Sequence, residues 1–295
     1  MKLTNLKFQN VKLFWLSLIL VATSFTLQAQ EPQQDEIDAL LDDLFFNDDE
    51  LMDDILNSLN PTTFLYTSLT YNSNTYFSGR DSGYDQYNLT PQISLFHRSG
   101  LSIGISGIYY DYFDPNWDFT SFSLNYFKRL SRDKNIYLNG GYTYFNYTDG
   151  SDLYTNALDV GIGIKNKSLT LGTSLSANYL FGGESTYQIV SSTYARLTIF
   201  KNPEFSLRFV PQVNLLAAEQ TIATYSPTDD YTYIYTDHPF SLVNTQIQLP
   251  LSFVSKHWNI DLGYILNFPK AFPEENIEST NGFFMLSAGY LINLD

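Results

Sequence analysis

The sequence predicts an all-β fold, a transmembrane antiparallel β-barrel of about 12 strands, preceded by a signal peptide and a short acidic helical segment. Three observations predict this fold. Beyond residue 62, apolar side chains alternate with small polar ones in segment after segment, as in strands with two different faces. The links between these segments alternate between short and long. Aromatic residues make up 17% of the 295 residues and charged residues only 16%, against roughly 25% charged in a soluble domain.

Residues 1–29 are predicted to be a secretory signal peptide. Three lysines precede an apolar core at 13–20, and a small-residue cleavage site follows at Ala29. The apolar core is much shorter than the roughly 20 residues of a membrane-spanning helix, which argues against an anchor. Removal of these residues takes away three lysines and no acidic residue, so the formal net charge changes from −15 to −18.

Residues 30–61 are predicted to be an acidic segment with two short amphipathic helices. Eleven acidic residues and no Lys or Arg lie between residues 31 and 60. Apolar residues recur at helical spacing in two series, at 37–45 and at 51–59. We expect the segment to be periplasmic or to plug the barrel, and residues 31–60 are a candidate contact for a periplasmic partner.

Residues 62–295 are predicted to form the barrel. In LTLGTSLSANYLF, residues 169–181, one face is apolar and the other carries Thr, Gly, Ser and Asn. Each such segment reaches the length of about 9–11 residues that a tilted membrane strand needs. The segments lie at 63–72, 86–97, 101–112, 118–129, 135–147, 153–164, 169–181, 187–200, 205–217, 241–254, 258–268 and 283–294.

The links after the even-numbered segments are short and basic, whereas those after the odd-numbered ones are mostly longer and acidic. Beyond residue 60, nine of the 13 Lys and Arg residues lie in or beside the short links. Fifteen of the 20 acidic residues there lie in or beside the long links. The sequence therefore predicts a barrel with one basic rim and one acidic rim.

The polar face of the strands decides which side faces lipid. A face exposed to water would carry Lys and Glu, but here it carries mostly small uncharged residues. We therefore expect the apolar face to contact lipid and the small polar face to line a lumen. An even number of strands, with short turns at one end and long loops at the other, resembles a bacterial outer-membrane β-barrel.

The last segment is similar to the assembly signal of outer-membrane barrels, which runs polar, x, Gly, x, x, hydrophobic, x, aromatic. Ser287, Gly289, Ile292 and Leu294 fall at those spacings, with Leu294 in place of the usual aromatic residue and Asp295 after it. The resemblance covers residues 62–295 and extends to no named subfamily. It implies the outer membrane of a Gram-negative bacterium, with the barrel surrounded by its lipids.

Four charged residues are predicted to point into the lumen. A three-residue turn at 202–204 would place Arg208 opposite Thr198 and diagonal to Arg196, at about 7–8 Å between backbones. Because unpaired buried charge is unfavourable, one interpretation is a structural cluster of arginines and aspartates. The other is a constriction that selects ions. The predicted lumen charge cluster comprises Arg196, Arg208, Asp159 and Asp261.

The longest external loop, 218–240, is rich in Tyr and Asp. Such residues can stack on sugars or coordinate a hard cation, although an aromatic girdle with a solvated acidic loop has the same composition. No Asp-x-Asp-x-Asp-Gly ligand loop is present, so no metal site and no cofactor are predicted. The candidate binding residues of this loop are Asp229, Asp230, Tyr231, Tyr233 and Tyr235.

The mostly small and polar inward residues favour a porin-like channel or transport protein for small solutes. The alternative is a non-conducting barrel that acts as a membrane anchor or interaction protein, through the acidic N-terminal segment or the Tyr- and Asp-rich external loops. An acidic exterior argues against nucleic acid as a partner. The chain has no cysteine, which excludes disulfides and thiolate metal sites.

A hydrolase is the third alternative, since an outer-membrane phospholipase is also a 12-stranded barrel, with a Ser and His pair at the outer leaflet. Here His97 and His257 belong to the basic rim, and His238 lies in the longest external loop. No strand offers a positioned nucleophile, base and orienting group. The sequence therefore predicts no catalytic residue.

Overall fold

The computed structural model describes residues 63–77, 80–81, 85–130, 135–150, 152, 154–219, 222–225, 233–237, 240–255, 257–270 and 280–294. The predicted signal peptide and acidic helical segment lie outside these residues. Within the ranges given, no helix is long and apolar enough to cross a membrane.

The described residues form 18 β-strands, which occupy twelve positions around one barrel and two small hairpins. Ten positions hold a single strand, and two hold a pair of consecutive strands, β10 with β11 and β12 with β13. The hairpins are β2 with β3 and β14 with β15. The strands are β1 (Phe64–Asn72), β2 (Tyr76–Phe77), β3 (Arg80–Asp81), β4 (Asn88–Phe96), β5 (Leu101–Tyr110), β6 (Trp117–Arg129), β7 (Ile136–Tyr147), β8 (Asn156–Lys165), β9 (Leu171–Phe181), β10 (Ser185–Ala195), β11 (Leu197–Lys201), β12 (Phe205–Phe209), β13 (Gln212–Glu219), β14 (Ile222–Tyr225), β15 (Tyr233–Asp237), β16 (Phe240–Ser255), β17 (Trp258–Pro269) and β18 (Asn281–Asn293).

The barrel is closed because β1 pairs with β18. Phe64 faces Asn293 and Asn72 faces Met285 along this seam. All other strand pairs around the ring are also antiparallel, and the pairing of β1 with β18 joins two edges that an open sheet would leave free. The prediction of a 12-stranded antiparallel barrel is confirmed, and the predicted strand bounds agree within three residues.

Two neighbouring strand positions are interrupted, which the alternating pattern did not predict. The first interruption lies at Arg196, between β10 and β11, and the second lies at Val210 and Pro211, between β12 and β13. Proline has no backbone N–H to donate to a ladder. The Pro211 carbonyl still accepts a hydrogen bond from the Ala195 N–H at 3.0 Å, so the two interruptions adjoin each other.

A β-bulge at Ile199 corrects the predicted geometry of the hairpin of β11 and β12. Thr198 faces Arg208 as predicted, but the register shifts before Phe200, and Lys201 then faces Ser206. The predicted three-residue turn at 202–204 is wrong, because the Asn202 N–H donates to the Phe205 carbonyl at 3.0 Å and closes a four-residue turn. The extra residue in the bulge shifts the register by one, so Thr198 still faces Arg208 although the turn differs from the predicted one.

Asparagine shapes two of the short turns. In the turn after β8, the Asn166 side-chain oxygen accepts hydrogen bonds from the backbone N–H groups of Thr170 at 2.8 Å and Leu171 at 3.1 Å. In the turn after β11, Asn202 does the same for Glu204 at 2.9 Å and Phe205 at 2.8 Å. Asn side chains commonly stabilise turns in this way. We call the rim with these short turns the turn end and the opposite rim the loop end.

The outer surface of the barrel is apolar. Along the strands every second side chain points outward, and the large apolar ones are exposed. Exposed aromatic residues flank this band, among them Tyr179 and Phe284 towards the loop end and Trp258 towards the turn end. The exposed aliphatic residues include Leu69, Ile93, Ile103, Ile105, Leu124, Leu158, Val160, Ile162, Leu175, Val213, Leu215, Leu262 and Leu286.

Candidate functional site

The middle of the lumen is lined by small polar residues on neighbouring strands. On β5 and β6, Ser106 faces Ser121, and their hydroxyl oxygens lie 2.7 Å apart. On β8 and β9, Gly161 and Ser176 occupy facing positions. Short side chains at facing positions leave room inside a barrel of this strand number.

The turn end of the lumen is filled by large side chains instead. Its inward residues are buried, with Phe96 only 1% and Arg208 only 2% exposed. The rings of Phe127 and Tyr137 stack with centroids 5.2 Å apart. We call this set the turn-end layer: Phe64, Tyr66, Phe96, Phe127, Tyr137, Lys165, Tyr194, Arg196, Arg208, Val254 and Leu291.

Glycines on facing strands make room for the tyrosines of the turn-end layer. Tyr137 faces Gly163, and a Cβ on that glycine would overlap the tyrosine ring. Tyr194 faces Gly172 with the same consequence. An aromatic ring that covers a cross-strand glycine lies along the wall of the sheet, so these rings extend sideways from strand to strand.

Two cations of the turn-end layer contact these tyrosines. The Lys165 Nζ lies 5.4 Å from the centroid of the Tyr137 ring. The Arg196 Cζ lies 5.9 Å from the centroid of the Tyr194 ring. Both distances are within the range of cation–π attraction, which holds part of the positive charge of this layer against aromatic faces.

The predicted lumen charges divide into two places. Arg208 faces Ser252, which faces Asp261, so Arg208 and Asp261 lie two strands apart, at about 10 Å between backbones. Arg196 lies two residues before Thr198 and is diagonal to Arg208, as predicted. Asp261 accepts a hydrogen bond from the Asn259 amide. Asp159 lies apart from these residues, on β8.

The loop half of the lumen holds a ladder of side-chain amides that the sequence analysis did not identify. Gln246 donates to the Asn267 side-chain oxygen at 3.1 Å. Asn267 also accepts from Asn244 at 3.1 Å and donates to Asn281 at 3.0 Å. The signal was the recurrence of amides at alternate positions of neighbouring segments. The amide ladder comprises Gln212, Asn214, Asn244, Gln246, Gln248, Asn267 and Asn281.

A cavity of about 400 Å³ lies in the lumen against β7, β8, β9 and β10. Its wall is mostly neutral and polar, and Phe145 adds an aromatic surface. Asp159 is the one charged residue in the wall among the residues that the structure describes. The lining residues are Asn139, Thr143, Phe145, Ala157, Asp159, Gly161, Ser174, Leu175, Ser176, Asn178, Leu180, Gln188 and Ser192.

Two of the five loop candidates lie in a described strand. Tyr233 and Tyr235 belong to β15, where they pair with Tyr225 and Thr224. The other three, Asp229, Asp230 and Tyr231, lie outside the described residues. Over the described part of the chain, no group of three or more His, Asp or Glu side chains is placed to hold a metal ion.

The described rims carry opposite charge. The exposed acidic residues Asp111, Asp149 and Glu184 lie at the loop end. The Tyr154 hydroxyl donates to the Glu184 carboxylate at 3.3 Å, and partial burial together with that negative charge raises the pKa of Tyr154. Exposed Arg98 and Lys201 lie at the turn end. The barrel is therefore electrically polar along its axis.

No protein-family model matches the chain, and no curated protein matches it. Among solved structures, the KdgM porin aligns with a TM-score of 0.45 and 10% identity, over 77% of this chain and 98% of that one. The NanC porin aligns at 0.45 and 11% identity, over 77% and 98%. An outer membrane channel from Pseudomonas putida F1 aligns at 0.45 and 11%, over 78% and 96%. These TM-scores and identities are low, and it is the protein's own surface that indicates its location.

The outer surface distinguishes a membrane barrel from a soluble one. A soluble monomer rarely exposes a contiguous apolar patch of more than a few hundred Å², whereas outward aliphatic residues occur here on strands all around the barrel. The lumen is polar, the short turns lie at one rim and the long links at the other, and aromatic residues flank the apolar band. This combination is the architecture of bacterial outer-membrane proteins. The chain is an outer-membrane β-barrel.

Proposed function

We propose that the protein is a porin-like channel for small polar solutes. The observation that supports this function is the lining of the lumen, where the amide ladder and the small residues around the cavity offer hydrogen-bonding groups along its length. A polar solute that leaves water must exchange its hydrogen bonds for others. A wall of amides and hydroxyl groups supplies them.

The turn-end layer limits what such a channel carries. Its side chains are buried, and the rings of Phe127 and Tyr137 stack on each other, so we expect this layer to be the narrowest part of the pathway. Passage requires these side chains to move, which restricts transport to small solutes and keeps the conductance low. The function is therefore a narrow channel whose rate is set at the turn end.

Planar-bilayer recordings test the proposal with a matched pair of variants. Wild type is expected to give small discrete current steps. The variant Phe127→Ala/Tyr137→Ala should give steps at least about twofold larger, because it removes two stacked rings from the narrowest part. The control Phe122→Ala/Tyr144→Ala removes two facing aromatic residues from the lipid side, and it should leave the step size unchanged.

A second candidate function, a non-conducting membrane anchor, is favoured by the burial of the turn-end layer. In that case a partner protein would bind residues 31–60 or the external loops. Bilayers with folded wild type and folded Phe127→Ala/Tyr137→Ala would then both remain silent. A folded barrel is recognised on a detergent gel by its different migration before and after boiling, so silence from misfolding is distinguished from silence of a closed barrel.

A further inference from the structure

We infer that Asp159 makes the lumen cavity a binding site for small solutes that carry a protonated amine. The inference names a solute class for the proposed channel, and its physiological role rests on that proposed function. The site is the cavity of about 400 Å³ between β7 and β10. Its recognition group is the Asp159 carboxylate, which no other described charge accompanies in the cavity wall.

The surroundings of the Asp159 carboxylate differ from those of the other inward aspartate. Asp159 is half-buried and makes no hydrogen bond or ion pair with another of the described residues. The other inward aspartate, Asp261, differs because the Asn259 amide donates to it. The Asp159 carboxylate is partly withdrawn from water, and its own backbone is its hydrogen-bond partner among the described residues. A ligand that supplies positive charge would therefore stabilise it.

Glycines on the facing strands leave space beside this carboxylate. Asp159 faces Gly141 on β7, and a Cβ there would overlap the Asn125 side chain and crowd the Asp159 carboxylate. Gly161, two residues further on β8, likewise leaves room for the side chain of Asn139. Glycine at these facing positions lets polar side chains approach the carboxylate from neighbouring strands while the cavity stays open.

The residues of the cavity fit an amine better than a metal ion. Calcium and magnesium take several oxygen ligands, usually with more than one carboxylate, and the described residues offer no such group. A protonated primary amine has three N–H donors, so it needs one carboxylate and up to two further acceptors. Asn139, Asn178 and Gln188 in the cavity wall supply amide oxygens for the remaining N–H groups and for hydroxyl groups of the solute.

The charge at the rim of the barrel affects which solutes reach the site. Exposed acids such as Asp111 and Glu184 lie at the loop end and raise the local concentration of cations there. A cationic solute that enters from the loop end therefore approaches Asp159 through a rim that favours positive charge.

Ligand-observed NMR titrations of the full-length protein in detergent micelles test the inference without requiring conduction. The probes are ethanolamine hydrochloride and ethylene glycol, which have the same number of heavy atoms and differ by an ammonium group against a hydroxyl group. Wild type is expected to bind ethanolamine and to bind ethylene glycol much more weakly. Asp159→Asn should weaken ethanolamine binding by about tenfold or more, because it removes one member of a partly desolvated charge pair.

The control Asp111→Asn makes the same charge change at the exposed loop end and should bind ethanolamine within about twofold of wild type, because exposed charges interact weakly. Equal binding of both probes to wild type, or unchanged ethanolamine binding in Asp159→Asn, would overturn the amine site. If the protein binds ethanolamine but stays silent in bilayers, the amine site is supported and the channel function is overturned. If it conducts in discrete steps but does not bind ethanolamine, the channel function is supported and the amine site is overturned.

Discussion

At the scale of single residues, glycines decide where the tyrosines of the turn-end layer lie. Tyr137 covers Gly163 and stacks on Phe127, and Lys165 lies over its ring. The ring therefore takes part in three contacts that depend on a missing Cβ on the facing strand. The sequence shows each glycine and each tyrosine, but only the register between β7 and β8 shows that these two residues face each other.

Gly163→Ala is expected to destabilise the folded barrel by about 1–3 kcal/mol, because the added methyl group must displace a packed ring. Urea unfolding in detergent or lipid measures the change. The control is Gly140→Ala, where a Cβ would meet only the Asp159 carbonyl oxygen at 3.4 Å, and the expected change is within about 0.5 kcal/mol. Equal losses in both variants would contradict the role of the close approach to Tyr137.

At the scale of strands, the amide ladder links β13, β16, β17 and β18 through their side chains as well as their backbones. Asn267 is its centre, since it accepts two hydrogen bonds and donates one, and it is 1% exposed. A buried amide network is favourable only while its members are satisfied. The ladder therefore ties the register of four neighbouring positions together.

Asn267→Ala should lower the free energy of unfolding by about 1–3 kcal/mol, since Asn244, Gln246 and Asn281 each lose a hydrogen-bond partner in a buried or part-buried place. Asn178→Ala is the matched control, because Asn178 lines the cavity and makes no side-chain hydrogen bond with another described residue. Thermal or urea unfolding of the two variants side by side gives the comparison. A loss at Asn178 as large as that at Asn267 would show that the ladder adds nothing.

The strands themselves were largely predictable, whereas their irregularities were not. Alternation of side chains and the lengths of the links gave twelve positions, since both are local properties of the chain. The interruptions at Arg196 and Pro211 and the bulge at Ile199 depend on which neighbouring strand continues beside them. For the same reason the sequence grouped Asp159 with Arg196, Arg208 and Asp261 and did not reveal that Asp159 lines a separate cavity.

At the scale of the whole molecule, the barrel has a direction. The short turns of outer-membrane barrels face the periplasm and the longer loops face the outside. The exposed basic residues lie at the turn end and the exposed acidic residues at the loop end. We therefore expect the acidic rim to be extracellular.

Protease added to whole cells should cut within the long link at 218–240 and leave the turns at 165–168 and 201–204 intact. The membrane shields the turn end from outside, whereas permeabilised cells expose both ends to the protease. Mass spectrometry of the fragments locates the cuts. If these turns also stay uncut in permeabilised cells, they resist cleavage because of their local structure and not because the membrane shields them. Cleavage after Lys165 or Lys201 in intact cells would reverse the assigned direction.

The seam between β1 and β18 joins residues about as distant in sequence as the described chain allows, with Phe64 facing Asn293. Every other junction between barrel positions is a hairpin or continues one, so it can form while the rest of the chain is still being delivered. The seam cannot, because both of its edges must first exist. Until then the growing sheet carries two unsatisfied edges, which are prone to pair with other chains. During assembly, closure of the ring therefore competes with pairing of the open edges with other chains. Pairing of β18 with β1 ends this competition.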